Sequence, residues 1–173
     1  MRLIIKLLLL LCLMPVGALS QERVRSVMVG PRGDQTRIVI ALIEPNDKGY
    51  KMQSMIIDIA PIKNRNEMPT SAQVDLTSTD RFLSTGQKDQ KILLLRWKKA
   101  GEIELKCEGK WEKQDKNAAI DKIMETIKAV IGAVPLDTKK TTEVTLPTEI
   151  EEQVTSLLNA LHTEEFPCVR NAK

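Results

Sequence analysis

The apolar positions change period partway along the chain. Before residue 112 they come in short runs or alternate with polar residues, the period of two that marks strands. Residues 23–29 are short and mixed. Residues 37–44 contain Ile38-Val39-Ile40-Ala41-Leu42-Ile43, a run suited to a strand buried on both faces or nearly so. Met55, Ile57 and Ile59 alternate within 50–60, and Val74 and Leu76 do so weakly within 73–77. Segments 90–97 and 102–111 complete a set of about six strands. The separators Gly30-Pro31-Arg32-Gly33-Asp34, Pro45-Asn46-Asp47-Lys48-Gly49 and Lys99-Ala100-Gly101 carry turn chemistry. Short connections between successive strands favour antiparallel pairing.

Beyond residue 115 the period becomes helical. Ile120, Ile123, Met124, Ile127, Val130, Ile131 and Val134 recur at spacings of three and four, which puts them on one helix face. Asp115 or Asn117 can cap the start, and Gly132 with Pro135 marks the end. A Thr- and Lys-rich connection over 137–146 has room for a short strand at 143–146. Thr148-Glu149-Ile150-Glu151 fits a capping box, and Ile150, Val154, Leu157, Leu158 and Leu161 form a second stripe. Strands first and helices last predict an α+β fold. The expected architecture is an antiparallel sheet of about six strands, open or curled into a part-barrel, followed by two amphipathic C-terminal helices packed on one sheet face.

One hairpin can be placed to the residue. If Lys99-Ala100-Gly101 is a three-residue loop with Gly101 in the left-handed position, Trp97 faces Ile103, Leu95 faces Leu105 and Leu93 faces Cys107 on an apolar side. Lys98 with Glu102 and Arg96 with Glu104 then pair opposite charges on the wet side. A slip of one residue would mix core and solvent residues on both faces. Trp97 is therefore expected in the core.

The first residues read as an export signal. Arg2 and Lys6 precede an apolar core over 7–14, and Ala18 and Ser20 supply small residues for cleavage after Ser20, or after Ala18 as second choice. The uncharged stretch 7–19 is shorter than the ~20 residues a spanning helix needs and contains Pro15 and Gly17. No stable transmembrane segment is expected. Leu11 before Cys12 is too large for a lipidation signal. Residues 21–173 then form one domain, 21–112 mainly strands and 115–173 mainly helical, exported to the periplasm or beyond the cell.

Loss of Arg2 and Lys6 lowers the formal net charge from +3 to +1. Such a balance argues against a nucleic-acid binder, whose affinity rests on neutralising phosphates. Tyr50, Phe82, Trp97, Trp111 and Phe166 are the whole aromatic complement, too few for a base-stacking platform. Residues 21–100 are net basic and 101–173 net acidic, so the halves attract weakly.

Of the three cysteines, Cys107 and Cys168 remain after cleavage, and export favours a disulfide between them. No catalytic, metal or cofactor set emerges. The single histidine, His162, suits the C-terminal end of the second helix. One His and two Cys do not make the usual zinc sets, and neighbouring carboxylates such as Glu102/Glu104 fit a solvated face better than a cleft. Two loops are candidates for partner binding. Arg32-Gly33-Asp34 presents a cation and a carboxylate in a turn, and Lys63 and Arg65 lie in the Pro-bounded polar loop 61–69.

The functional expectation is an exported, non-enzymatic protein that binds an unidentified macromolecule at the cell envelope or outside the cell. A first alternative is a carrier of an apolar small ligand, with Met28, Met52, Met55 and Met68 lining a part-barrel cavity. A second is a carboxylate-based hydrolase.

Overall fold

The computed structural model describes residues 24–61, 69, 71–98, 102–163 and 166–171. Residues 1–23, with the expected export signal, and the Lys99-Ala100-Gly101 loop, Lys63, Arg65 and Met68 lie outside the described residues.

Seven strands follow one another as an antiparallel meander: β1 Val24–Arg32, β2 Gln35–Asn46, β3 Gly49–Ile59, β4 Ala72–Phe82, β5 Lys88–Trp97, β6 Ile103–Cys107 and β7 Lys110–Gln114. Two helices come next, α1 Ala118–Ala133 and α2 Thr148–Ala160, with a two-residue strand β8 Thr142–Glu143 between them and β9 Arg170–Asn171 at the end. The sheet is open, in the order β7-β6-β5-β4-β3-β2-β1-β8, with β9 beside β5.

The strand count exceeds the expected six for two reasons. The segment 102–111 is two strands, because Glu108 and Gly109 both adopt positive φ (48° and 87°) and reverse the chain. Positive φ at both central residues is the signature of a tight type I′ hairpin. The two-residue strands β8 and β9 exist only through pairing with β1 and β5. The first hairpin turns at Gly33 (φ 63°), with Arg32 opposite Gln35. Glycine at the first central position with φ > 0 suits a type II′ turn.

Alternation decides the faces. Val29, Ile38, Ile57, Val74, Leu95 and Leu105 form one cross-strand row, all fully buried. Val27, Ile40, Met55, Leu76 and Leu93 form the next. The stripes of both helices, including Ile123, Ile127, Leu157 and Leu158, join these rows in one core. α2 lies against β3 and β4, and α1 packs beside α2. Asn117 caps α1 by accepting a hydrogen bond from the Ile120 amide at 3.0 Å. α2 has no side-chain cap, so the expected capping box does not form. Its Glu151 turns instead to Arg25 on β1, at 2.6 Å.

The expected register of the β5–β6 hairpin is present: Leu95 faces Leu105, Arg96 faces Glu104, and Trp97 faces Ile103. Leu93 and Cys107 do not continue this ladder. Below Leu95 the edge of β5 is taken by β9, through Lys91 with Asn171 and Ile92 with Arg170, while Cys107 pairs with Lys110 in the next hairpin. Lys98 meets Glu104 at 3.6 Å rather than Glu102, whose partner is Lys113 at 3.8 Å. Cys107 and Cys168 form a disulfide with Cα atoms 4.7 Å apart, inside the usual span. It ties the C-terminal segment to the sheet where β9 begins.

Candidate binding surface

Both helices cover the same face of the sheet, and the side chains on its other face alternate out of phase with the core. Three cross-strand rows build the centre of this uncovered face. Met28, Val39, Ile56, Asp75 and Leu94 form one. Ser26, Ala41, Ser54, Thr77 and Ile92 form the next, and Ile43, Met52, Thr79 and Gln90 the third. Most of these side chains are half-buried by their own neighbours, and Ile43 and Met52 are exposed. A solvated sheet face usually carries polar residues at such positions. Met28, Val39 and Ile56 stand side by side in an apolar strip flanked by Ser26, Ser54, Asp75 and Thr77, and such a strip is a candidate interaction surface.

A charged row borders the patch. Arg37, Asp58, Gln73, Arg96, Glu104 and Lys113 face one another in sequence across five junctions of the sheet. Asp58 is buried and receives Arg37 Nε at 2.6 Å and Arg32 Nη1 at 2.5 Å. Arg96 Nε donates to Glu104 at 2.5 Å, and its guanidinium lies 4.2 Å from the centre of the Trp111 ring. Opposite charges thus neutralise one another along this border. The hydrogen bond from Arg96 is the main cause that holds the Glu104 carboxyl below the usual glutamate range. A carboxyl lowered in the folded state contributes stability above its unfolded value, and that contribution is lost as pH falls through the folded value. Titration of Glu104 by NMR should give a midpoint below the ordinary ~4.3, and Arg96→Gln should move it upward. A midpoint at or above the ordinary value in the parent protein would refute the pairing.

The Arg32-Gly33-Asp34 turn is placed at the hairpin tip as its sequence suggests, but Arg32 reaches back to Asp58. Its guanidinium is thus paired with Asp58, although the side chain stays about half exposed. The four methionines do not line one cavity. Met55 is in the core, Met28 and Met52 are on the opposite face, and Met68 lies outside the described residues.

His162 takes a position that residue spacing did not reveal. Just past α2, its Nε2 lies 2.9 Å from Ser78 Oγ, and its Nδ1 lies 3.6 Å from Asp89 and 4.0 Å from Asp80. The residue types are those of a serine hydrolase, but the hydroxyl is closed off from solvent. Ser78 is fully buried beneath the end of α2, and its oxygen accepts a second contact from Gln53 Nε2 at 3.1 Å. Gln53 also donates to Asn159 at 2.9 Å. These bonds satisfy polar groups that interrupt the apolar face of β3 and β4, as burial demands, and they pin α2 to the sheet. The one sequence signal was Gln53 and Ser78 standing in phase with core residues two positions away.

Cys107, Cys168 and Glu112 come within metal-ligand distance of one another. The paired sulfurs offer no thiolates, so this is a disulfide beside a carboxylate. Surface hollows of 370 and 590 Å³ flank α2, lined by polar side chains such as Glu152 and Ser156. A third, of 220 Å³, lies beside Asp58 and Arg96. Among the described residues, no helix is long and apolar enough to cross a membrane. Comparison of the chain with protein-family models, curated proteins and solved structures finds no match.

Proposed function

We propose that this protein is exported and acts, without catalysing a reaction, by binding a macromolecule at the cell envelope or outside the cell through the uncovered face of its sheet. The observation that carries this reading is the apolar strip Met28-Val39-Ile56 on the face opposite the helices. Tyr50, Trp111, Met28, Met52 and Arg96 on this face are of the residue types enriched in protein interfaces. The disulfide is compatible with an oxidising compartment, and the sequence of the first 20 residues supports export with cleavage after Ser20 or Ala18.

Photo-crosslinking tests the proposal. A benzoylphenylalanine at Ser54 or Thr77, in the centre of the uncovered face, should give an adduct of one defined mass in the native exported fraction. The same group at Glu152, exposed on α2, should not. Absence of adducts from both face positions, or the same adduct from Glu152, would reject the surface.

A further inference from the structure

The three exposed large hydrophobic side chains among the described residues gather at one end of the sheet. Ile43 and Met52 are cross-strand partners, 36% and 43% exposed. Leu83, 71% exposed, is held beside the β2–β3 turn by a hydrogen bond from its amide to the Lys48 carbonyl at 2.9 Å. Close approach of the two turns requires Gly49, since a Cβ there would overlap the Arg81 carbonyl oxygen. The other large apolar side chains among the described residues are buried or half-buried, so exposure at a single end calls for an apolar contact.

Charge at this end is sorted by face. Arg81 and Lys88 stand directly opposite each other on the uncovered side. Like charges in that position repel, and among the described residues neither has a carboxylate within ion-pairing distance. Arg81 bonds only the Tyr50 hydroxyl, at 3.0 Å, beside that ring. Asp80 and Asp89 are paired in the same way on the helix-covered side, where Lys51, Lys91 and His162 face them. Among the described residues, the uncovered rim therefore offers two cations without a carboxylate partner next to exposed Met52 and Leu83, with Asp47 the one acidic group in the adjoining β2–β3 turn, and this combination suits an anionic, amphiphilic surface.

A bilayer with anionic headgroups supplies both contacts at once, headgroup charge for the two cations and acyl chains for the exposed apolar side chains. We infer that the sheet end bearing Ile43, Met52 and Leu83, with Arg81 and Lys88, docks on an anionic lipid surface. The inference shares Ile43 and Met52 with the outermost row of the uncovered face but does not rest on a partner for its centre, which the probes at Ser54 and Thr77 test separately.

Flotation with vesicles of phosphatidylcholine containing phosphatidylglycerol, against phosphatidylcholine alone, tests it on the protein purified from an exporting host. Binding should require the anionic lipid and weaken as salt rises. Arg81→Gln and Lys88→Gln should each weaken it roughly fivefold, and Met52→Thr with Leu83→Ser should weaken it further. Lys122→Gln, on α1, should leave it unchanged. Thermal unfolding of each variant checks that the fold persists. Absence of flotation, equal flotation with neutral vesicles, or parental binding by folded Arg81 and Met52/Leu83 variants would overturn the inference. A protein adduct from a photo-crosslinker at Met52 without vesicle binding would assign this end to a protein partner and overturn it equally.

Discussion

Trp97→Ala should lower the stability of the fold by about 3–5 kcal/mol, the usual range for emptying a large buried aromatic site. Trp97 is 4% exposed, lies between Ala72 and Ile103 in the sheet, and donates its indole N–H to the Pro69 carbonyl at 3.3 Å. The substitution leaves a cavity under the β5–β6 hairpin and an unpaired carbonyl. A domain typically holds about 5–15 kcal/mol in total, so the loss is a large share and should cost about 10 °C in Tm for a chain of this size. Trp111→Ala is the contrasting case. That ring is half-exposed on the uncovered face beneath Arg96, and an exposed cation–π contact contributes only about 0.5–1 kcal/mol. Chemical denaturation of the two variants gives the comparison. Equal effects, or acrylamide quenching Trp97 as readily as Trp111 in the parent protein, would contradict the burial.

Breaking the disulfide should have an effect of similar size, acting largely on the unfolded chain. Cys107 and Cys168 are 61 positions apart, and closing a loop of that length stabilises by about 4 kcal/mol in the chain-entropy model. The Cys107→Ser/Cys168→Ser variant should unfold at clearly lower denaturant, and the parent protein should match it once reduced. A local consequence follows from the topology. β9 holds the edge of β5 at Lys91 and Ile92, beside the bridge. Hydrogen exchange at those two positions should accelerate more than at Leu95, where β6 supplies the partner. Unchanged exchange at Lys91 and Ile92 in the reduced protein would show that the tail is held without the bridge.

Residues close in sequence carried their own structural information. The pairings Leu95–Leu105 and Trp97–Ile103 were legible because a slip of one residue exchanges every core side chain for a solvent one, so only one register keeps an apolar face. The helix around Ile120, Ile123 and Ile127 was legible because spacings of three and four repeat over four turns. The one long-range contact expected, between Cys107 and Cys168, 61 positions apart, followed from an even cysteine count and the expectation of export rather than from local pattern.

Contacts between distant segments were decided by the assembled fold. Glu108-Gly109 lacks the Asn-Gly or Asp-Gly pattern of a strong hairpin signal, so one expected strand became two. A short strand was expected at 143–146 and forms at Thr142–Glu143, while β9 had no signal; each exists because a longer strand offers an edge. The pairing of Arg32 with Asp58, 26 positions apart, joins the first turn to β3. His162 and Ser78, 84 positions apart, meet only when α2 lies on β3 and β4. The run Ile38–Ile43 suited burial on both faces, yet both helices cover the same side, leaving Val39, Ala41 and Ile43 on the uncovered one. Periodicity is a local property and orders side chains along one element. Which of two apolar faces is covered, and which polar groups meet across it, depends on where the chain returns.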